Sequence, residues 1–505
     1  MPGPRSRGQV LLRADSGPDI GLGHAMRCLA LAEELARRGF SLTLASHSLI
    51  GAEERVRMSG YALLRVSGPP RREVEAIRTR AGGHLLSPER TKPFRFVVLD
   101  HYMEGADDWL RHAESLARRR LVIDDVPGRR LSCELVVNPA LGIEPDAYAD
   151  FVTRRTRVLL GPRYAPLRRS LRPTPDQIIH GKRSRIESVL VAMGSGSSDA
   201  TTLAVDAARE AVPQASIDVV VGVGAALARA TGNVHIHVDP DDATLAALLA
   251  GADIALGAGG VSAYERCLAG LPSITTQVAT NQAATIRGLA AAGAVLDAGE
   301  STSLTRARLV GMIRQLAGDR AARVSMSEKG RALVDGRGAE RIAHELEGVR
   351  MRVPRPDDIG LLWRWSNDEE ARLQSVSRQH IPWATHQRWF ASAMIDPTTV
   401  LMIGHNNAGP VGQVRFEVRG DAAEVSIATD PAQRGTVGSV LLRSALRRFG
   451  RSHGARHRLT ARVRHENLAS RRVFESAGFH QTGEDAETLR YTLDPTDPRV
   501  GGGIS

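Results

Sequence analysis

The sequence lacks any long hydrophobic run. Its 505 residues contain no stretch near the roughly 18 uncharged apolar residues that a membrane span requires. The N-terminus is basic, but the apolar run that follows it is too short for a signal peptide. These absences predict a cytoplasmic protein without a membrane partner.

Cysteine is also scarce, because the chain has only Cys28, Cys133 and Cys267. Three cysteines far apart in the sequence form neither a disulfide framework nor a four-ligand zinc site. His24 and Cys28 have the i, i+4 spacing of helical ligands, but no further ligand lies nearby in the sequence. Cys28 falls within an apolar helical pattern, which favours a small core residue over a zinc ligand. We therefore expect no metal.

Lysine and aromatic residues are both rare. Only three of the 67 basic residues are lysine, which leaves 64 arginines spread over nearly every segment. The net charge of +11 would suit a nucleic acid, but aromatic residues make up only 4% of the chain, too few for a base-stacking surface. We expect no nucleic-acid partner and attribute the arginines to compositional bias and to the binding of small anions.

What is present is typical of a globular protein, with 42% hydrophobic and 24% charged residues. At about 150 residues per domain, the length predicts about three domains. Apolar runs at 10–13, 41–45, 96–99 and 121–123 alternate with a helical pattern at 24–38. Two of these runs end in acidic residues, as buried parallel strands do at a ligand-binding sheet edge. Residues 1–170 are therefore predicted to form a Rossmann-like lobe.

The same pattern restarts after a polar, proline-bearing stretch at 168–185. Apolar runs at 188–193, 217–221 and 254–256 predict a second Rossmann-like lobe over 171–348, facing the first across a cleft. Four of the five tryptophans then fall within thirty residues and indicate a separate mixed α/β domain over 349–496. A disordered tail is predicted at 497–505, and the fold class is α/β throughout.

Two glycine-rich turns carry the candidate chemistry of the lobes. Gly21 and Gly23 precede a helix that opens at His24, where free backbone amides attract anions and a histidine can take a proton from water. On spacing alone, a histidine in a first helical turn is more often a surface or capping residue. In the second lobe, the turn at 257–260 precedes Glu265, which is either a hydrogen-bond acceptor for both hydroxyls of a ribose or an ordinary solvated side chain.

Several ordered blocks resemble one enzyme family over residues 8–345. The blocks are Gly-x-Gly-His-x-Met-Arg-Cys at 21–28, Val-Leu-Asp-His-Tyr at 98–102, Ile-Asp-Asp at 123–125, Gly-Pro-Arg-Tyr-Ala-Pro-Leu at 161–167, Gly-Gly-Val-Ser-x-x-Glu at 259–265 and Asn-Gln at 281–282. Together they look like the UDP-2,4-diacetamido-2,4,6-trideoxy-β-L-altropyranose hydrolases of pseudaminic acid biosynthesis. That family is similar in fold to the GT-B glycosyltransferases.

This resemblance implies cleavage of a sugar C1–oxygen bond by water, without a metal. His24 would be the base that activates the water, and Glu265 would hold the uridine ribose. The remaining substrate-binding residues would be the turn residues Gly21, Gly23, Gly259, Gly260, Val261 and Ser262, the donors Asn281 and Gln282, and the cleft residues Asp15, Asp100 and Tyr102. The turn at 193–199 is two residues longer than the family's usual strand-end turn, which leaves the position of Asp199 open.

The last domain resembles the GNAT acetyltransferases from about Met351 to Pro495, which implies acetyl-CoA as donor. A strand at 424–429 leads into a turn and helix whose amides could cradle a pyrophosphate. A tryptophan-rich opening, Trp-x-Trp-x-Asn-Asp at 363–368, looks like the branch that acetylates amino sugars. The cofactor-binding residues implied are Gln433, Arg434, Gly435, Val437, Gly438, Ser439 and Asn467.

Two departures from the GNAT pattern bear on activity. The phosphate loop has one glycine fewer than in most family members, and Phe474 replaces the tyrosine that commonly acts as general acid. A protonating role would then fall to Tyr491 or to water. Glu424, on the strand beside the acyl group, is either the base that deprotonates the acceptor amine or a solvent-facing strand residue.

Both resemblances fit one pathway, so the sequence predicts a bifunctional nucleotide-sugar enzyme. The acetyltransferase would act on a 4-amino UDP-sugar, and the lobes would then hydrolyse the product. Three alternatives stay open. The lobes could transfer the sugar to an acceptor, the acetyltransferase could serve another amine, or the last domain could only bind a nucleotide sugar or scaffold the hydrolase.

Overall fold

The computed structural model of the chain describes residues 7–17, 20–81, 92–102, 105–174, 184–194, 198–224, 232–375, 377–453 and 457–494. The predicted disordered tail lies outside these ranges. The chain divides into two compact units, Met1–Ala343 and His344–Ser505. Over the described ranges, no helix is both long enough and apolar enough to cross a membrane.

The first lobe of unit one is a parallel sheet whose first five strands alternate with helices. Its strand order is β3-β2-β1-β4-β5-β6-β7, and every pairing is parallel. The elements are β1 (Gln9–Ala14), α1 (Gly23–Arg37), β2 (Ser41–Ser46), α2 (Glu53–Ser59), β3 (Ala62–Arg65), α3 (Pro70–Arg80), β4 (Phe96–Asp100), α4 (Ala106–His112), β5 (Arg120–Ile123), β6 (Leu135–Asn138) and β7 (Arg157–Leu160).

The second lobe repeats this plan with strand order β10-β9-β8-β11-β12-β13, again parallel throughout. Its elements, with the helix that ends it, are β8 (Ser188–Ala192), α5 (Ser198–Ala211), β9 (Ser216–Val221), β10 (Val234–Val238), α6 (Asp242–Gly251), β11 (Ile254–Ala258), α7 (Val261–Ala269), β12 (Ser273–Gln277), α8 (Ala283–Ala291), β13 (Leu296–Glu300), α9 (Arg306–Gly318), α10 (Arg320–Leu333) and α11 (Gly338–Glu347).

The central strands of both sheets consist mainly of buried apolar residues, as strands covered by helices on both faces require. Every residue of β4 and of β11 is buried. Because the strands are parallel, β1 and β4 end at the same sheet edge, and β8 and β11 do so in the second lobe. That edge is where open α/β sheets bind their ligands, so the fold places the glycine turns that follow β1 and β11 where the sequence predicts a site.

Unit two has a mixed sheet with strand order β14-β15-β16-β17-β18-β20-β19. One core lies between the sheet and α15 and α16, and a second core joins Leu362, Trp365 and Phe390 to Leu401 and Ile403 of β15. The elements are β14 (Arg350–Arg352), α12 (Ile359–Ser366), α13 (Glu369–Leu373), α14 (Trp383–Ile395), β15 (Thr399–Asn406), β16 (Gly409–Arg419), β17 (Ala422–Thr429), α15 (Gly438–His453), β18 (Arg458–Arg464), α16 (Leu468–Ser476), β19 (His480–Glu484) and β20 (Thr488–Leu493).

The strands β17 and β18 run parallel but separate after a short ladder. Pairing covers only Ala422 with Arg458, Ala423 with Leu459 and Glu424 with Thr460. Beyond Glu424 the paired partner of β17 is β16, and that of β18 is β20. The sheet of unit two therefore opens into a V-shaped gap, at whose closed end Glu424 stands.

Two Rossmann-like lobes followed by a mixed α/β domain confirm the predicted fold class. The predicted domain boundaries at 170/171 and 348/349 stay predictions.

Candidate functional sites

A histidine–aspartate pair lies at the ligand-binding edge of the first lobe. His24 is the second residue of α1, and Asp100 is the last residue of β4. The Nδ1 atom of His24 lies 2.5 Å from Asp100 Oδ1, and both side chains are buried. An ionised carboxylate at Nδ1 fixes the imidazole ring and makes Nε2 the proton-accepting nitrogen.

Arg27, one helical turn after His24, neutralises the carboxylates around this pair. Its Nε and Nη2 atoms donate to Asp100 at 2.5 and 2.6 Å, and its Nη1 donates to both oxygens of Asp125 at 2.8 Å. Burial alone would raise the pKa of Asp100, but the charges of Arg27 and His24 lower it to about 2. Asp100 is therefore ionised at neutral pH, which its hydrogen bond to His24 requires.

Tyr102 connects this cluster to the opposite lobe. Its hydroxyl donates to Asp125 and accepts a hydrogen bond from Asn281 Nδ2 at 3.4 Å. Its ring meets the His24 ring edge-on, with centroids 4.8 Å apart. The structure thus brings together four residues that are far apart in the sequence.

The starts of two helices face each other across the lobes. A Cβ atom at Gly23, the first residue of α1, would lie 3.5 Å from the side chain of Val261, the first residue of α7. Neither helix has a side-chain cap hydrogen bond. Uncapped helix starts present amide donors and a partial positive charge, so an anion held between α1 and α7 would meet both.

The turn before α7 is supported from within the second lobe. The backbone amide of Gly259 donates to Gln282 Oε1 at 3.1 Å, and Val278 donates to the same oxygen. Gly259 is needed here because a Cβ atom would lie 2.4 Å from Ile286. The predicted substrate-binding residues Gly259 and Gln282 are therefore bonded to each other, while Gly260 and Val261 stand at the uncapped helix start.

Glu265 is buried, and one of its two carboxylate oxygens already accepts a hydrogen bond. Its Oε1 atom accepts a hydrogen bond from Arg168 Nη2 at 2.9 Å, and Arg168 also pairs with Asp242. Ser262, predicted beside it, accepts a hydrogen bond from Arg266 Nη1 at 3.2 Å. A ribose would therefore meet the second oxygen of Glu265 rather than a free carboxylate.

Asp15 accepts hydrogen bonds from several residues of the first lobe. One carboxylate oxygen binds Arg13, the Ser46 hydroxyl and the amides of His47 and Ser48, and the other binds His101. Burial raises the pKa of Asp15, but these partners bring it far below its usual range. Any contact of Asp15 with a ligand would come in addition to this network.

Two further turns follow β1 and β8, one at Gly21 and one at 193–199. Gly21 has a φ of +77°, a left-handed conformation that favours glycine, and its amide donates to the carbonyl of Gly17. Asp199 lies in the first turn of α5. Residues 195–197 of its turn lie outside the described ranges.

In unit two, the phosphate loop precedes the sixteen-residue helix α15. Gly435 has a φ of +78°, a left-handed conformation that favours glycine, and a Cβ atom on Gly438 would lie a close 3.0 Å from the Val473 side chain. The backbone carbonyl of Gln433 accepts a hydrogen bond from the Thr436 hydroxyl. The loop and helix start fit a pyrophosphate, whose oxygens would accept from the first amides of α15.

Three residues predicted to bind the cofactor already have partners. Arg434 is bonded to Asp368 and, at 2.6 Å, to Glu370. The Ser439 hydroxyl accepts from Ser476 at 3.0 Å, and Asn467 caps α16 by accepting from the Ser470 amide at 2.9 Å. Val437 is fully buried in the core. Direct ligand contacts in this loop would therefore come from backbone amides before side chains.

Glu424 stands on the sheet face opposite α15. Its Oε1 atom accepts from Arg462 Nε at 2.9 Å, and its cross-strand neighbour on β16 is Glu417. The Glu424 side chain is about one-third exposed, at 31%. A carboxylate at the closed end of the gap between β17 and β18 is placed to act on a group that enters the gap.

The hydroxyl of Tyr491 is enclosed. It donates to Glu475 Oε1 at 2.9 Å and accepts from Arg471, and burial raises the pKa of this phenol. Phe474 is buried against Phe479 and Tyr491. The Tyr491 hydroxyl, one of the two proton donors predicted for this site, is therefore already engaged within the domain.

Sequence reasoning missed Arg27, Asp125 and Arg168 as site residues. Arg27 and Asp125 fall inside the blocks that carried the resemblance, and Arg27 lies three residues after His24 on the same helix face. That spacing is the signal that could have identified it. No local signal pointed to Arg168, because its partners Asp242 and Glu265 are distant in the sequence.

The described residues contain no group of three or more histidine, cysteine, aspartate or glutamate side chains placed to hold a metal ion. Cys28 is buried, with its Sγ atom 3.9 Å from Asp100 Oδ2. The expectation that no metal is needed stays a prediction.

Comparison with known proteins identifies the domain in unit two. Residues 349–480 match the sequence profile of the acetyltransferase (GNAT) domain, which confirms this part of the prediction. A spermidine N-acetyltransferase from Vibrio cholerae, solved with CoA and spermine, is similar at 16% identity and a TM-score of 0.27. The match covers 29% of this chain and 95% of that chain.

Unit one is similar at low identity to a protein named for polysaccharide biosynthesis and, in fold, to a solved structure. The spore coat polysaccharide biosynthesis protein SpsG of Bacillus subtilis is 24% identical over 347 residues, which cover 66% of this chain and 97% of that protein. The structure of MurG from Acinetobacter baumannii is similar at 14% identity and a TM-score of 0.48, over 67% of this chain and 99% of that chain.

Proposed function

We propose that the chain is a bifunctional nucleotide-sugar enzyme of pseudaminic acid-type biosynthesis. Unit one would hydrolyse a UDP-2,4-diacetamido-2,4,6-trideoxy-β-L-altropyranose to UDP and the free sugar. Unit two would use acetyl-CoA to acetylate the 4-amino precursor of that UDP-sugar. The observation that carries the hydrolase half is the His24 ring, held at Nδ1 by an ionised Asp100 beside two facing helix starts.

In the hydrolysis step, His24 Nε2 accepts a proton from a water molecule as the water oxygen bonds to the anomeric carbon. The bond between that carbon and the β-phosphate oxygen breaks, and its electron pair leaves with UDP. The imidazolium that forms is stabilised by Asp100, whose negative charge is maintained by Arg27. The leaving phosphate needs no proton, because a phosphate oxygen is a weak base at neutral pH.

The diphosphate would bind between the starts of α1 and α7. Amides at both helix starts, including those of Gly260 and Val261, would donate to its oxygens. Glu265 would accept from the ribose with the oxygen that Arg168 leaves open, and Asn281 would reach the sugar from beside Tyr102. The relative from B. subtilis, named for polysaccharide biosynthesis, supports a sugar substrate.

In the acetylation step, bound acetyl-CoA would supply a thioester carbonyl in the gap between β17 and β18. Glu424 would accept a proton from the acceptor ammonium, directly or through water, so that the amine can attack. The pair with Arg462 holds this carboxylate in place. Because Phe474 has no proton to donate and the Tyr491 hydroxyl is engaged, water would protonate the departing thiolate.

The hydrolase half is tested by incubating the pure protein with UDP-2,4-diacetamido-2,4,6-trideoxy-β-L-altropyranose and no sugar acceptor. We expect UDP and free sugar to appear in equal amounts, measured by anion-exchange chromatography. Release of UDP only when an acceptor is added would instead identify a glycosyltransferase and reject the hydrolase.

The acetylation half predicts that Glu424→Gln lowers the rate of acetyl transfer by about a hundredfold, the lower end of the usual contribution of a general base. The amide keeps the size of the side chain but cannot accept the proton. The measurement is thiol release from acetyl-CoA with the 4-amino UDP-sugar.

Glu417→Gln is the matched control, since Glu417 faces Glu424 across the strands and also pairs with arginines. We expect its rate to stay within about threefold of wild type, as for removal of an exposed ion pair. Equal losses in the two variants would assign Glu424 a structural role.

A further inference from the structure

Arg266 is a buried cation whose partners are all neutral. Its side chain is 1% exposed, and it donates to the Ala258 carbonyl at 2.8 Å and to the hydroxyls of Ser262, Ser273 and Thr275 at 3.2 to 3.3 Å. No carboxylate among the described residues forms an ion pair with it. The neighbouring Glu265 is instead paired with Arg168.

Two other buried arginines of unit one, Arg13 and Arg27, are neutralised by carboxylates. Arg13 pairs with Asp15 and Glu73, and Arg27 pairs with Asp100 and Asp125. Burial of a cation without such a partner is costly, and burial lowers the pKa of Arg266 to about 10. Among the described residues, Arg266 is therefore a buried positive charge without an ion-pair partner.

This charge lies directly beneath the turn that leads into α7. A Cβ atom on Gly257 would lie 2.4 Å from Arg266 Nη1 and 2.9 Å from the Ala192 carbonyl oxygen, so the guanidinium packs closely against this glycine. The acceptors Ala258 and Ser262 lie on either side of Gly260 and Val261, at the uncapped helix start. The guanidinium thus acts on the part of the turn that faces the other lobe.

We propose that Arg266 is a positioning residue for the diphosphate, which would supply the countercharge that Arg266 lacks. By holding the Ala258 carbonyl and the Ser262 hydroxyl, it fixes the start of α7, and its charge adds to the positive end of the helix dipole. This inference rests on the proposed binding of a nucleoside diphosphate. It adds that the preference for a diphosphate depends on Arg266, a side chain that does not touch the ligand.

The experiment measures binding of UDP and of uridine to the full chain by calorimetry. In Arg266→Met we expect the dissociation constant of UDP to rise about tenfold or more, as for loss of a buried charge interaction, while that of uridine stays within about twofold. Arg266→Lys keeps the charge, so we expect its ratio of the two constants to stay within about threefold of wild type. If the methionine variant does not fold, Arg266→Gln carries the same expectation.

Arg323→Met is the control, because Arg323 is equally buried in the same lobe but donates to carbonyls of Leu316 and Ala317. A general loss of stability would affect both variants, whereas the ratio of UDP to uridine affinity should change only at Arg266. An unchanged ratio in Arg266→Met, or an equal change in Arg266→Lys, would overturn the inference. Failure of the wild-type chain to bind UDP would instead reject the proposed function.

Discussion

Replacement of His24 by alanine is expected to lower the rate of UDP release by about 10² to 10⁴-fold, the usual contribution of a general base. The affinity for UDP should change by less than about threefold, because the proposed diphosphate ligands are backbone amides that the substitution leaves in place. Single-turnover release of UDP gives the rate, and calorimetry gives the affinity. A rate close to that of wild type would remove His24 from the mechanism.

His237→Ala is the matched control for this experiment. His237 and Asp218 also form a histidine–aspartate pair, with Nε2 and Oδ1 2.8 Å apart, but the pair lies on β10 and β9. Its loss should leave UDP release unchanged. Asp100→Asn should lower the rate while keeping His24, because a neutral amide fixes the ring less firmly and stabilises the imidazolium less.

Replacement of Arg27 by methionine is expected to lower the free energy of unfolding of the first lobe by about 3–5 kcal/mol, the cost of breaking a buried ion pair. The reason is that Asp100 and Asp125 would lose their common counter-ion, and Asp100 is fully buried. The pKa of Asp100 should rise at the same time, because Arg27 is the largest of the influences that lower it. Hydrogen exchange of peptides from α1 and β4 measures the loss locally.

Arg37→Met on the same helix is the control. Arg37 is about half exposed, at 52%, and pairs with Glu34, so its loss should cost less than about 1 kcal/mol. Equal protection of α1 in both variants would mean that the Arg27 cluster does not stabilise the lobe.

The strands that can be predicted from the sequence are the buried ones. Apolar runs at 96–99 and 254–256 correspond to β4 and β11, because a strand covered on both faces must be apolar throughout. The edge strand β3 was not predicted, because its apolar run covers only residues 62–64 and three of its four residues are exposed. The start of α1 was placed within one residue, at His24 instead of Gly23, because this helix follows a glycine turn.

The candidate site could be predicted only where its residues lie in one motif. His24 follows a glycine turn, and Asp100 ends an apolar run, so each is visible separately. Their pairing depends on β1 and β4 being neighbours in the sheet, which no local pattern encodes. The same holds for the hydrogen bond from Asn281 to Tyr102 and for Arg266, whose surroundings come from β11, α7 and β12.

The short ladder between β17 and β18 leaves a weakly paired boundary, or seam, within the sheet of unit two. Three residue pairs join the two parts of a seven-stranded sheet, and the parts are otherwise held together by the helices packed on the sheet, such as α15. A donor molecule lying in the gap would bridge the seam and stabilise the folded unit by mass action. Unit two would then resist proteolysis better when acetyl-CoA is abundant. A shortage of acetyl-CoA would both slow the reaction and shorten the lifetime of the domain.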